Sequence, residues 1–111
     1  MRTTGAMKPL RFVGSSADDL RDFPAEARRR AGFELYSVQR GLEPTDWKPM
    51  QTIGPGVREL RIRVMGEWRI IYTAVIADAV YVLHAFQKQS KATSRNDIEV
   101  ARQRLHDLDQ R

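Results

Sequence analysis

Cysteine is absent from this chain of 111 residues, which excludes a disulfide framework and a thiolate metal site and suits a reducing cytoplasm. Histidine is scarce as well. His84 and His106 are the only two, too few for a convincing metal centre when no cysteine can join them. No stretch approaches the run of about 20 apolar residues that a membrane span needs. The opening Met1-Arg2-Thr3-Thr4-Gly5-Ala6 carries a charge but no apolar core follows it, so it does not read as a signal peptide. Internal repeats, low-complexity tracts, a P-loop and a Gly-rich dinucleotide fingerprint are all missing. The length predicts one domain with a single modest core, expected over residues 7–111 behind a flexible extension of residues 1–6, with Met7 an equally good natural start.

What is present is positive charge, unevenly placed. The formal net charge is +5. Residues 1–47 hold 8 Lys/Arg against 7 Asp/Glu, residues 48–104 hold 10 against 5, and the last seven hold 1 against 2. The excess therefore falls on the middle and late segments, where a basic stripe would attract phosphate backbones through counterion release. A solvated cationic surface accounts for the same charge equally well.

Hydrophobic periodicity gives that stripe a shape. Leu60, Ile62 and Val64 alternate with Glu59, Arg61 and Arg63, the period-two pattern of a strand with one face on a core. Gly66 tolerates positive φ, so Met65-Gly66-Glu67 is expected to reverse the chain into a strand over Trp68 to Ala74. Centring the turn on Gly66 pairs Arg63 with Arg69 and Arg61 with Ile71. A second reversal over residues 76–79 leads into Val80 to Phe86, pairing Ile71 with His84 and Arg69 with Phe86. Arg61, Arg63, Arg69, His84 and Lys88 then share one face of a three-stranded antiparallel meander. Leu60, Ile62, Val64, Trp68, Ile70 and Tyr72 take the other.

Upstream, Lys8 to Val13 reads as a short first strand with Pro9 at its start. Ser15 or Ser16 is expected to cap a first helix that ends near Phe23-Pro24, with Asp18 and Asp19 in its opening turn. A second helix follows from Pro24, with Ala27, Ala31, Leu35, Val38 and Leu42 as its core stripe and Gly41 as its stop. Arg28, Arg29 and Arg30 fan outward over nearly a full turn, and a solvated face is preferred for them over a nucleic-acid or partner contact. Residues 42–56 are rich in Pro and Gly and read as a connecting loop, with Trp47 anchored on the core and Lys48 at the edge of the basic region. After Lys88 a polar run holding Lys91 and Arg95 leads to Asn96, the expected cap of a last helix through Asp107. Ile98, Ala101, Leu105 and Leu108 form its apolar side, and His106 suits its C-terminal end.

Three segments together are specific. Val57-Arg58-Glu59-Leu60-Arg61, then Gly66-Glu67-Trp68-Arg69-Ile70-Ile71-Tyr72, then Val82-Leu83-His84-Ala85-Phe86-Gln87-Lys88 resemble, in that order, the phage-derived HigB-like branch of the RelE/ParE toxin superfamily. Phe23-Pro24, Gln39-Arg40-Gly41, Trp47-Lys48-Pro49-Met50 and Asn96 to Ala101 are similar to that branch too. The resemblance spans Met7 to Leu108. It implies a RelE-like α+β fold: an N-terminal strand, two helices, a twisted antiparallel meander and a short C-terminal helix. It further implies a bacterial toxin neutralised by a HigA-like helix-turn-helix antitoxin, and HigB and RelE members cleave mRNA in the ribosomal A site. By the same resemblance Arg69 stands at the family's central catalytic arginine, Lys88 at the basic residue closing the next strand, and Arg61 at a basic residue on the facing strand. The terminal tyrosine of some RelE members has no counterpart, since Thr93 and Ser94 follow Lys88 instead.

The implied reaction is attack of a ribose 2′-OH on its neighbouring phosphate, which needs no cofactor and no metal. It needs a cationic clamp for the phosphorane and proton transfer at two oxygens. Arg61, Arg69 and Lys88 are the candidate clamp, and Lys48, Arg63, Lys91 and Arg95 are candidate RNA contacts. His84 is either a proton exchanger, as an imidazole titrating near neutrality, or a hydrogen-bonded structural residue. Arg69 is either functional or the partner of Glu59 or Glu67 in a structural ion pair. A ParE-like gyrase inhibitor and an inactive RNA-binding module of the same fold remain alternatives.

Overall fold

The computed structural model describes residues 7–76 and 78–109, so the expected extension, residues 1–6, and Ala77 in the second reversal lie outside the described residues. Three layers make up the domain. Strand β1 (Leu10–Phe12) leads into helices α1 (Ser16–Arg21) and α2 (Ala25–Gln39). Then come β2 (Trp47–Pro49), β3 (Val57–Arg63), β4 (Glu67–Thr73) and β5 (Val80–Gln87), followed by α3 (Arg95–Asp109). The strands form one five-stranded sheet in the order β1-β5-β4-β3-β2, with β1 parallel to β5 and every other pair antiparallel. The architecture is the expected α+β arrangement and is compatible with a RelE-like fold. No helix is long and apolar enough to cross a membrane among the described residues.

Alternation in the sheet sorts the side chains into two cores. Leu60, Ile62, Ile70, Tyr72, Val80, Val82 and Ala85 meet Leu20, Phe23, Ala27, Ala31, Leu35 and Val38 on one face. On the other, Val57, Ile71 and Leu83 meet Met50, Ile53 and Ala101, with Ile98 and Leu105 of α3 packed alongside. The anticipated apolar faces of the meander and of both long helices are therefore present. Leu42 is the exception. It is 51% exposed, because Gly41 at φ 82° turns the chain away and the Gly41 and Leu42 amides donate to the Val38 and Ser37 carbonyls, a Schellman ending.

Four further expectations need correction. The loop over residues 42–56 contains a strand: β2 pairs with β3, and its Pro49 is tolerated because the strand is at the sheet edge. Trp47 is accordingly only half-buried, lying beneath the Arg58 guanidinium at 3.8 Å from the ring centroid. The last helix is capped by Ser94, whose Oγ accepts from the Asp97 amide at 3.1 Å, so it begins at Arg95 and not after Asn96. Finally, the β3–β4 register differs by two residues. Arg61 faces Arg69, and Arg63 faces Glu67.

That register follows from the turn. Met65 at φ 57° and Gly66 at φ 124° both take positive φ, so three residues, Val64 to Gly66, suffice to reverse the chain and Glu67 already belongs to β4. Trp68 Nε1 donates to the Val64 carbonyl at 3.1 Å and ties the hairpin. A slip of two preserves which face each side chain takes, whereas a slip of one would have reversed it. The β4–β5 register is as expected, Ile71 opposite His84 and Arg69 opposite Phe86. A bulge between Ile71 and Tyr72 gives β5 an extra residue there, and Leu83 and His84 both turn toward α3.

Candidate nucleic-acid interface

Two cross-strand pairs start the site, one of opposite and one of like charge. Lys48 on β2 lies opposite Glu59 on β3, and Arg61 on β3 lies opposite Arg69 on β4. Like charges facing one another across a ladder repel, and here carboxylates intervene. Glu59, with no exposed surface, places Oε1 3.5 Å from Arg69 Nε, 3.9 Å from Arg61 Nε and 3.9 Å from Lys48 Nζ. Thr93 Oγ1, from the loop before α3, donates to the other oxygen of Glu59. Glu67 Oε1 accepts from Arg69 Nη2 at 3.0 Å, and Asp46 stands 3.7 Å from Arg61 and 3.8 Å from Arg63.

The resulting cluster is tight at its centre and open at its edge. Arg69 is 1% exposed; its guanidinium bonds the Trp68 carbonyl and Glu67 and faces Glu59, so in this conformation it offers nothing to solvent. Among its neighbours, the side chains of Arg61, Lys48 and Arg63 are 25%, 38% and 61% exposed and form the accessible rim. Glu59 Oε1, Arg61 Nε and Arg69 Nε are buried and find no hydrogen-bond partner among the described residues. Three cationic groups thus surround one carboxylate oxygen at ion-pair distance without good hydrogen-bond geometry. Beside them the Arg69 guanidinium, hydrogen-bonded to Glu67, holds that carboxyl below the usual carboxylate range.

The other sequence candidates are placed differently. The Lys88 amide donates to the Glu67 carbonyl at 2.8 Å, which brings this residue to the flank of the cluster, while its ammonium donates to the Lys91 carbonyl at 2.5 Å. Lys91 and Arg95 are exposed on the loop and at the start of α3. His84 is 8% exposed and faces α3, with Nε2 2.7 Å from Asp97 Oδ1 and its ring stacked on Phe86 at 4.8 Å. Ser94 Oγ donates in turn to the other oxygen of Asp97 at 2.7 Å. Among the described residues no ion pair or hydrogen bond links His84 to the arginines, and its surroundings are those of the hydrogen-bonded structural alternative.

Glu59 and Glu67 stand where the sequence offered them, as ion-pair partners of Arg69. Glu59 and Glu67 share the parity of Arg61 and Arg69, so the alternation that found the arginines also places these carboxylates beside them. Asp46 and Thr93 were not legible that way: Asp46 reaches the site because β2 forms, and Thr93 because the loop before α3 folds back onto β3. The face consequently holds Asp46, Glu59 and Glu67 against Lys48, Arg61, Arg63, Arg69 and Lys88. Its net charge is still positive, but smaller than the sequence suggested.

The family described as Phage derived protein Gp49-like (DUF891) matches residues 18–106, a span that takes in every one of these side chains. No curated protein gives a significant match to the chain.

Proposed function

The chain belongs to the Gp49-like family of phage-derived, toxin-like proteins, and from that membership we propose that it is the toxin of a type II toxin–antitoxin pair, acting in the cytoplasm as a ribosome-dependent endoribonuclease. Its substrate in this reading is mRNA in the ribosomal A site, and its partner a HigA-like helix-turn-helix antitoxin. The observation that carries the reading is the convergence of Lys48, Arg61 and Arg69 within 4 Å of a single anionic oxygen, that of Glu59. A phosphorane oxygen requires the same convergence, and fixed cations aimed at developing charge are the most effective means of stabilising it. Lys48, Arg61 and Arg63 contact the RNA backbone, with Lys88, Lys91 and Arg95 extending the track along the loop before α3. Arg69 acts from behind Arg61 as a buried positioning charge, and His84 holds α3 through Asp97.

A second reading, an RNA-binding module that does not cut, is favoured by one specific observation: Arg69 is already occupied by Glu59 and Glu67. Primer extension on cellular mRNA after brief induction separates the two, comparing the wild type with Arg61→Ala and Lys48→Ala after circular dichroism confirms their fold. Cuts in frame with codons that disappear in Arg61→Ala support the ribonuclease. RNA binding without cuts supports the module, and supercoiling defects without cuts point to gyrase inhibition instead.

A further inference from the structure

The outer face of α2 carries a feature that the sheet cluster does not explain. Phe33 is 60% exposed and Tyr36 47% exposed, one helical turn apart. Each has a guanidinium over its ring, Arg30 at 6.0 Å from Phe33 and Arg40 at 5.5 Å from Tyr36. A groove of about 350 Å³ runs between Glu26, Arg29, Arg30 and Phe33 on α2 and Val64 on the β3–β4 hairpin. A second groove of about 310 Å³ begins at the same Arg30 and Val64 and ends at Asp46, Arg61 and Arg63. The two share Arg30 and Val64 as a common wall. An apolar trough with a cationic border therefore lies beside the accessible rim of the candidate RNA site.

We propose that this trough docks an acidic amphipathic helix of a partner protein, whose apolar side chains fill the space between Phe33 and Val64 while its carboxylates engage Arg29 and Arg30 and reach Arg63. Exposed aromatics among arginines are the composition of a protein interface core, and an amphipathic helix in a groove is a standard way to fill one. The exposed pair Arg29–Glu26 is weakly held, so a partner carboxylate exchanges for it at little cost, while Arg30 keeps its pair with the buried Glu34 and offers the partner its half-exposed outer side. Nucleic acid fits the trough less well. Its floor is apolar, and the guanidiniums of Arg30 and Arg40 compete for the ring faces on which bases would stack. A second copy of the chain fits poorly too, because a twofold contact sets this cationic border against itself. The wall shared with the Arg61–Arg63 groove makes the docked helix a competitor for RNA phosphate, and that consequence rests on the ribonuclease reading.

The test uses the intact chain and a fluorescein-labelled designed peptide with Leu at i, i+3, i+4 and i+7 and Glu elsewhere, beside a scrambled peptide of equal composition. Fluorescence anisotropy should show the patterned peptide binding at least about tenfold more tightly than the scrambled one. Phe33→Asp should weaken it by a similar factor while leaving the affinity for a single-stranded RNA oligonucleotide unchanged; Phe33 is exposed, so the fold tolerates the change. The patterned peptide should displace that oligonucleotide from the wild type and not from Phe33→Asp. Equal binding of the two peptides, or full binding by Phe33→Asp, overturns the docking surface. Loss of RNA affinity in Phe33→Asp assigns the trough to nucleic acid, and a concentration-dependent dimer abolished by Phe33→Asp assigns it to a second copy; either result overturns the proposal. Selective peptide binding by a chain that binds no RNA leaves the docking surface standing and refutes the ribonuclease. Undisturbed RNA cleavage with no selective peptide binding does the reverse.

Discussion

Replacing Glu59 by Gln keeps the side chain's shape and removes one charge from the centre of the sheet. Glu59 is wholly buried and is one of two carboxylates facing Arg69, whose side chain is 2% exposed. Taking one partner from a buried ion pair costs about 3–5 kcal/mol, because the remaining charge stays buried without compensation. Two features hold the expected loss near the lower figure: Glu67 still bonds Arg69, and Lys48 and Arg61 can turn their charges to water. A loss of about 3 kcal/mol is a large part of the 5–15 kcal/mol typical of a domain. With an m-value near ~1.5 kcal/mol/M it moves the urea midpoint by roughly 2 M. Glu59→Gln, Arg69→Gln and the double variant complete a mutant cycle. Since each single change strands a charge and the double change strands less, the double variant should lose distinctly less than the two singles together. A loss below about 1 kcal/mol for Glu59→Gln, or strict additivity in the cycle, refutes the view that this carboxylate neutralises Arg69.

Burial pushes the Tyr72 phenol above its ordinary value of 10, although the approach of Arg58 pulls the other way. Its hydroxyl is buried and has no partner in good geometry among the described residues. The fold favours the neutral phenol, so this contribution is complete below pH ~10 and declines as pH rises from there through the folded-state value; urea titrations across that range should give Tyr72→Phe a flatter alkaline limb, and identical limbs would contradict the assignment. Ser94→Ala removes the α3 cap and one of the two groups holding Asp97, which should lower stability by about 1 kcal/mol and speed amide exchange in the first turn of α3. Unaltered exchange there would show that the cap does not govern the helix start.

The meander and both apolar faces were legible because alternation is a local signal that needs no knowledge of neighbouring strands. Arg61, Arg63 and Arg69 were placed on the correct face even though the pairing was two residues out, since face depends only on parity. The Leu83–His84 bulge is a different matter. It arises from how β5 fits β4, and no residue within β5 announces it. β2 escaped notice because Pro44 and Pro55 lie on either side and Pro49 is its last residue, and only pairing with β3 makes Trp47 to Pro49 a strand. The site suffered from the same limitation. Its cations were found, but what they do is set by Glu59 beneath them and by Asp46 and Thr93, which arrive from other parts of the chain.

The parallel pairing of β1 with β5 sets the order in which the molecule can assemble. Leu10 to Phe12 bond to Val80 to Val82, Lys8 Nζ donates to the Ala74 carbonyl, and Ser16 Oγ donates to the Val82 carbonyl. During synthesis the segment that leaves the ribosome first has no place to go until a strand some seventy positions later has been made. Contacts this distant in sequence form slowly, because the intervening loop must close before they contribute. Until then Val80 and Val82 are missing from the core that the two N-terminal helices share with β3 and β4, so the nascent chain closes that core only in a late step.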